Sequence, residues 1–237
     1  LLSGCAGCGR GGGGWLAARG FQGIGYVRGL EHLPKDSGVL LVAGHLGNWE
    51  WMAPLLAAQG VRVAEVVRPL NDPALDHFVE STREAGGIAT IPKYHAGNEL
   101  LQRLRDGWIV GILIDQSPRE SAVPVHFFGR PCWATAGPVL IARRAKVPVH
   151  MARMIREASG GYCLEIGPAV PLQQTGDLQA DLAANSQRLQ DDFEQLVRAQ
   201  PEQWLWLHRR WKARPALQAA WDKRARRGSR GSTAPQG

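Results

Sequence analysis

The sequence predicts an α/β fold, with a mostly parallel central sheet flanked by helices in a single domain. Three observations predict it. Short apolar runs rich in branched residues alternate with helix-like segments of about ten to fifteen residues. The length, 237 residues, suits one α/β domain rather than two. The composition, 44% hydrophobic and 21% charged, supplies a core and excludes disorder over most of the chain.

The elements follow in order. Residues 1–22 are Gly-rich, including Gly11 to Gly14, and are expected to be a disordered or incomplete segment. The domain proper is assigned to 23–214, with order beginning near Ile24. Gly38 to Ala43 is a buried strand, and Asn48 to Gln59 a helix stopped by Gly60. Val61 to Val67 is the second strand. Pro73 to Ala85 is a helix with proline in its first turn and Gly86-Gly87 at its end. Ile88 to Ile91, Trp108 to Ile114, Val147 to Ile155 and Tyr162 to Ile166 are strands, and Val123 to Phe128 is extended. Ala96 to Arg105, Thr135 to Ala145 and the long amphipathic Asp177 to Ala199 are helices. Pro201 to Lys212 reads as a further helix, and 215–237 as a basic, disordered tail.

Charge is unevenly spread. From Pro201 onward nine Lys or Arg face two acids, so this stretch carries the whole net charge of +7 and the first two hundred residues balance. A neutral body with a basic end points to an anionic partner, either a membrane surface or nucleic acid. Trp204, Trp206 and Trp211, interleaved with His208, Arg209, Arg210 and Lys212, fit a lipid headgroup layer or stacking on single-stranded nucleic acid. They fit equally well as tryptophans packed on the core with the basic residues in water.

Four cysteines are too few and scattered for a disulfide framework. The Cys5-x-x-Cys8 pair has no second pair at zinc spacing, so no metal site is expected. No apolar run of about 18 residues is present. The chain begins at Leu1 rather than Met, which reads as an incomplete N-terminus with room for a preceding anchor.

The chemistry concentrates in Ala43-Gly44-His45-Leu46-Gly47-Asn48-Trp49-Glu50. A strand runs into glycine, histidine and a helix start, and ligands of open α/β sheets bind beyond the carboxyl ends of strands. With His45 in the turn and Glu50 early in the helix, the carboxylate is expected to fold back onto the imidazole. It would fix the tautomer and leave the other nitrogen as a base. The same two residues also fit a capping histidine and a surface glutamate. Asn48 fits either a ligand contact or a helix cap. Arg68 follows the second strand, Asp115 and Gln116 follow the strand at 108–114, and Arg130 sits in a turn. The two arginines are candidate phosphate contacts, and Asp115 a candidate to position Arg68 or a sugar hydroxyl.

The block His45-Leu46-Gly47-Asn48-Trp49-Glu50 is similar to the His-x4-Asp/Glu motif of glycerolipid-type acyltransferases. With Arg68-Pro69-Leu70-Asn71-Asp72-Pro73, Asp115-Gln116, Phe127-Phe128-Gly129-Arg130-Pro131 and Pro201 to Lys212 in this order, the chain resembles the bacterial lipid A lauroyl/myristoyl acyltransferases over about 23–215. The resemblance implies transfer of a fatty acyl chain from an acyl carrier protein or coenzyme A thioester to a hydroxyl of a lipid A precursor. His45 would be the base and Glu50 its partner. Arg68, Asp115, Arg130 and Asn48 would bind substrate, with no metal, cofactor or covalent acyl-enzyme. It also implies a peripheral place on the cytoplasmic face of the bacterial inner membrane. Another glycolipid or aminolipid acceptor remains open. A basic nucleic-acid module is the alternative from a different class, and it leaves the histidine and arginine at the strand ends unexplained.

Overall fold

The computed structural model describes residues 25–67, 70–92 and 96–231. Seven strands form one sheet in the order β1-β9-β8-β2-β5-β3-β4. They are β1 (Gly25–Arg28), β2 (Val39–Ala43), β3 (Val63–Val67), β4 (Ile88–Pro92), β5 (Ile109–Leu113), β8 (Val149–Arg156) and β9 (Tyr162–Ala169). Every neighbouring pair is parallel except β8 with β9. β6 (Ala122–Phe127) and β7 (Arg130–Thr135) form a separate antiparallel hairpin. Around these lie α1 (Met52–Ala57), α2 (Pro73–Ala85), α3 (Ala96–Arg105), α4 (Gly137–Ala145), α5 (Leu178–Ala199) and α6 (Pro215–Gly231). This is the mixed α/β, mostly parallel, single-domain fold that the alternation predicts.

Strand β2 explains the two-sided core. All five of its residues are buried, as a central parallel strand requires. Side chains alternate across a strand. Leu40 and Val42 therefore join Leu104, Val110 and Phe193 on one face, while Val39, Leu41 and Ala43 join Leu56, Met154 and Leu164 on the other. Helix α5 starts where Asp177 accepts from the Gln179 and Ala180 amides, and it buries Leu182, Leu189, Phe193 and Val197.

Three regions differ from the sequence reading. Pro201 to Lys212 is not a helix. Only Pro201–Gln203 makes a 3₁₀ turn, because the backbone beyond it bonds instead to the loop after β2. The stretch from 215, read as a disordered tail, is helical through Gly231. Pro215 opens it, Ala216, Leu217, Ala219 and Ala220 favour it, and Trp221 packs against the core. Strand β7 was not anticipated. Phe128 and Gly129 both take positive φ (52° and 67°), the geometry of a tight hairpin turn, and fold it back on β6. Among the described residues no helix is long and apolar enough to cross a membrane.

Candidate active site at the ends of β2 and β5

β2 and β5 are neighbours in register, Ala43 opposite Leu113. Two residues further on, His45 and Asp115 stand level at the carboxyl edge of the sheet. The result is a close contact: His45 Nδ1 lies 2.8 Å from Asp115 Oδ1, and the His45 amide donates to Oδ2 at 2.9 Å. Trp204 Nε1 donates to Oδ2 as well, at 2.9 Å. Asp115 is fully buried. Burial alone would raise its carboxyl, but the hydrogen bond and charge of His45, with the Trp204 and amide donors, outweigh it and hold the group below the usual carboxylate range. An ionised carboxylate only accepts, so Nδ1 carries the proton, and in the neutral form of the ring Nε2 keeps a lone pair. The His45 side chain is 12% exposed.

The pairing of His45 with Glu50 is therefore not the one the structure has. Glu50 lies in a 3₁₀ turn, Trp49–Trp51, that turns its side chain outward to 59% exposure. Its carboxylate accepts from Trp49 Nε1 at 3.1 Å and from Arg83 on α2 at 3.3 Å. Arg83 also pairs with Glu65 on β3 at 3.3 Å. Burial, opposed by Arg83 and aided by Glu50, pushes Glu65 up to about 7.

The loop after β2 is held from two sides. Gly44 packs so closely on α5 that a Cβ there would lie 2.1 Å from the Phe193 ring. Gly47 has φ +61°, and a Cβ there would lie 1.9 Å from the Met154 carbonyl oxygen. The segment after the Pro201–Gln203 turn then straps across. Gly47 donates to the Gln203 carbonyl and Leu205 to that of His45, both at 2.9 Å, and Leu46 bridges Trp204.

The strap delivers His208, whose ring meets His45 edge-on at 4.5 Å. Burial first, and the nearby His45 charge second, hold His208 below the usual histidine range. The Gln116 amide nitrogen stands 3.2 Å from His45 Nε2 and 3.5 Å from His208 Nε2. Sequence reasoning placed neither residue beside His45: Gln116 had no role, and His208 was read with the aromatic and basic cluster. Their signal was position: Gln116 follows Asp115 past a strand end, and His208 sits in the tryptophan-rich block. Ligand atoms of His45, Asp115 and His208 lie within 4.8 Å of one another, a spacing compatible with a metal. Both Asp115 oxygens are already engaged, however, which leaves two imidazole nitrogens.

The aromatic and basic block divides between interior and surface. Trp204 is buried among Phe127, Phe193 and Trp211. Arg210 is buried too, donating to the Trp133 carbonyl and, at 2.6 Å, to Gln190. Trp206, Leu207, Arg209 and Lys212 stay at the surface. Arg130 is exposed and its guanidinium covers the Trp211 ring at 5.1 Å. Asn48 precedes the Trp49–Trp51 turn without a side-chain cap bond. It lines an open hollow of about 750 Å³ with Gly47, Trp49, Arg156, Tyr162 and Gln203. Arg68 lies outside the described residues.

The family model of the bacterial lipid A biosynthesis acyltransferase matches residues 17–213. A phosphatidylinositol mannoside acyltransferase of Mycobacterium tuberculosis is 28% identical over 200 residues, covering 79% of this chain and 60% of that protein. A lipid A biosynthesis acyltransferase of Haemophilus influenzae is 24% identical over 185 residues, covering 76% of this chain and 56% of that protein. The chain thus spans 56–60% of the length of these curated relatives. Among solved structures, a 1-acyl-sn-glycerophosphate acyltransferase of Thermotoga maritima aligns over 77% of each chain at 16% identity, with a TM-score of 0.42.

Proposed function

The chain belongs to the bacterial lipid A biosynthesis acyltransferase family, and on that premise we propose that it moves a fatty acyl chain from a thioester, on acyl carrier protein or coenzyme A, to a hydroxyl of a lipid A precursor. The observation that carries the reading is the His45–Asp115 pair at the open edge of the sheet. Asp115 holds the Nδ1 proton and stabilises the imidazolium that forms, and Nε2 takes the proton of the attacking hydroxyl. The alkoxide adds to the thioester carbonyl. The tetrahedral intermediate collapses with loss of thiolate, which recovers the proton from His45. No acyl-enzyme is needed.

Glu50, in this reading, acts on Arg83 rather than on the base. Arg68 and Arg130 are the phosphate contacts and Asn48 a substrate contact beside the His45 loop. The basic residues after Pro201, apart from the buried Arg210, support peripheral attachment to an anionic bilayer at the cytoplasmic face of the inner membrane.

A second acceptor is favoured by one observation: the phosphatidylinositol mannoside acyltransferase has the higher identity of the two relatives. Mass spectrometry of lipids from a bacterium lacking a late lipid A acyltransferase, with and without this gene, separates the two. Lipid A heavier by one acyl chain is expected. An added acyl chain on an inositol mannoside, in a host that makes one, selects the second acceptor. No mass gain in either glycolipid contradicts both.

A further inference from the structure

We propose that Gln116 donates the hydrogen bond that receives the oxyanion of the tetrahedral intermediate, and that His208 is the positioning residue that holds it there. The proposal rests on the acyl-transfer reading above.

The argument starts from which atoms face one another. Asp115 fixes the proton of His45 on Nδ1, so Nε2 presents a lone pair. The Gln116 side-chain atom 3.2 Å from that lone pair must then be the amide nitrogen, since its oxygen would set acceptor against acceptor. The same nitrogen lies 3.5 Å from His208 Nε2. One amide thus offers its two hydrogens to two imidazoles.

The backbone beneath it is pinned. The buried Arg210 reaches the Gln116 carbonyl at 3.5 Å, Arg214 donates to the Ser117 hydroxyl and carbonyl, and Gln190 donates to the Ile114 carbonyl at 3.2 Å. The Gln116 residue itself is exposed, so its amide is open to solvent beside His45.

Substrate arrival redistributes these bonds. The acceptor hydroxyl must take the His45 Nε2 lone pair before it can give up its proton, and this releases one Gln116 N–H. The other stays on His208. Burial and the His45 charge lower the His208 pKa and so disfavour its protonation, which favours its role as an acceptor while His45 becomes imidazolium. The released N–H is within a hydrogen-bond length of the base, where the thioester carbonyl has to lie. As the C–O bond forms, the hydroxyl proton passes to His45 and the carbonyl π pair moves onto oxygen, where Gln116 donates to it. Collapse restores the carbonyl, breaks the C–S bond and returns the proton to the leaving thiolate. A donor aimed at developing charge lowers the barrier more than it tightens binding.

The test measures thiol release from palmitoyl-coenzyme A in vesicles carrying a lipid A precursor or a phosphatidylinositol mannoside. Gln116→Met, close in shape but without a donor, should lose roughly 10²–10³-fold in kcat with KM within about twofold. Gln116→Asn should retain part of the activity. His208→Phe keeps a ring but no acceptor. It should lower kcat about tenfold alone and add nothing to Gln116→Met, the coupling expected if His208 acts through Gln116. Unchanged melting temperatures exclude unfolding as the cause. Full kcat in Gln116→Met, beside an inactive His45→Ala, overturns this inference and leaves the acyl-transfer reading standing. Independent, additive losses overturn the role of His208. Turnover retained in His45→Ala overturns His45 as the base and this inference with it, and a lack of acceptor-dependent thiol release from the unchanged chain overturns the acyl-transfer reading.

Discussion

Replacing Asp115 by Asn keeps the shape of the side chain and changes what it offers to His45. Three donors converge on the carboxylate: His45 Nδ1, the His45 amide and Trp204 Nε1. An amide has one oxygen, so in either orientation its NH₂ meets at least one of those donors. The orientation that still satisfies the two donors on the Oδ2 side sets the NH₂ against Nδ1, and the imidazole then loses the partner that holds its tautomer. Asp115→Asn should lower kcat by about 10³–10⁴-fold, as loss of an orienting carboxylate does in hydrolytic triads. Steady-state kinetics on the folded variant check it, and a loss below about tenfold would show that Asp115 does not orient the base.

Glu65 makes a prediction of opposite sign to an ordinary carboxylate. Its folded value is raised from 4.5 to about 7, so between these values the folded state binds more protons than the unfolded chain. Stability from this residue is therefore present below about pH 4.5 and lost as pH rises to about 7. Asp115, held low, does the reverse and loses its contribution only on acidification. Melting curves from pH 5 to 7 should fall by roughly 2–6 °C relative to Glu65→Gln. Parallel curves would contradict the shift.

At the scale of elements, the strap after Pro201 carries the site. It supplies the Trp204 bond to Asp115, the Leu205 bond to His45 and the His208 ring. It seats on Gly47, whose left-handed φ and close approach to Met154 tolerate no side chain. Gly47→Ala should cost roughly 2–4 kcal/mol in urea unfolding and lower kcat with it. Wild-type stability would mean that the loop can move aside.

The His45 turn was legible in the sequence, because strand, glycine and histidine are adjacent there. Its true partner was not. Glu50 is near in sequence and points away, while Asp115 is far in sequence and adjacent through strand pairing. Spacing along one segment cannot reveal which strand lies beside β2. The strap was misread as a helix for a related reason: Pro201 does open a turn, but tertiary hydrogen bonds to residues 45–47 then decide the backbone. Arg210 looked like a surface base because nothing local signals that Gln190 and the Trp133 carbonyl await it.

For the molecule as a whole, alternating periodicity sufficed for the fold class, since buried parallel strands read as continuous apolar runs such as Val39 to Ala43. It did not determine the order of the strands, which depends on crossovers, nor the β6–β7 hairpin that packs Phe127 beneath Trp204. Helix α6 was hidden by its composition. Its basic residues and glycines suggest a tail, while the packing of Trp221 against the core favours order.

The central claim is that this edge of the sheet performs acyl transfer with His45 as base. The most direct measurement is thiol release from a long-chain acyl thioester in the presence of acceptor glycolipid, comparing the unchanged chain with His45→Ala. The account predicts acceptor-dependent release that falls by at least about 10³-fold in the variant while its melting curve is unchanged. Equal rates for the two proteins would contradict it.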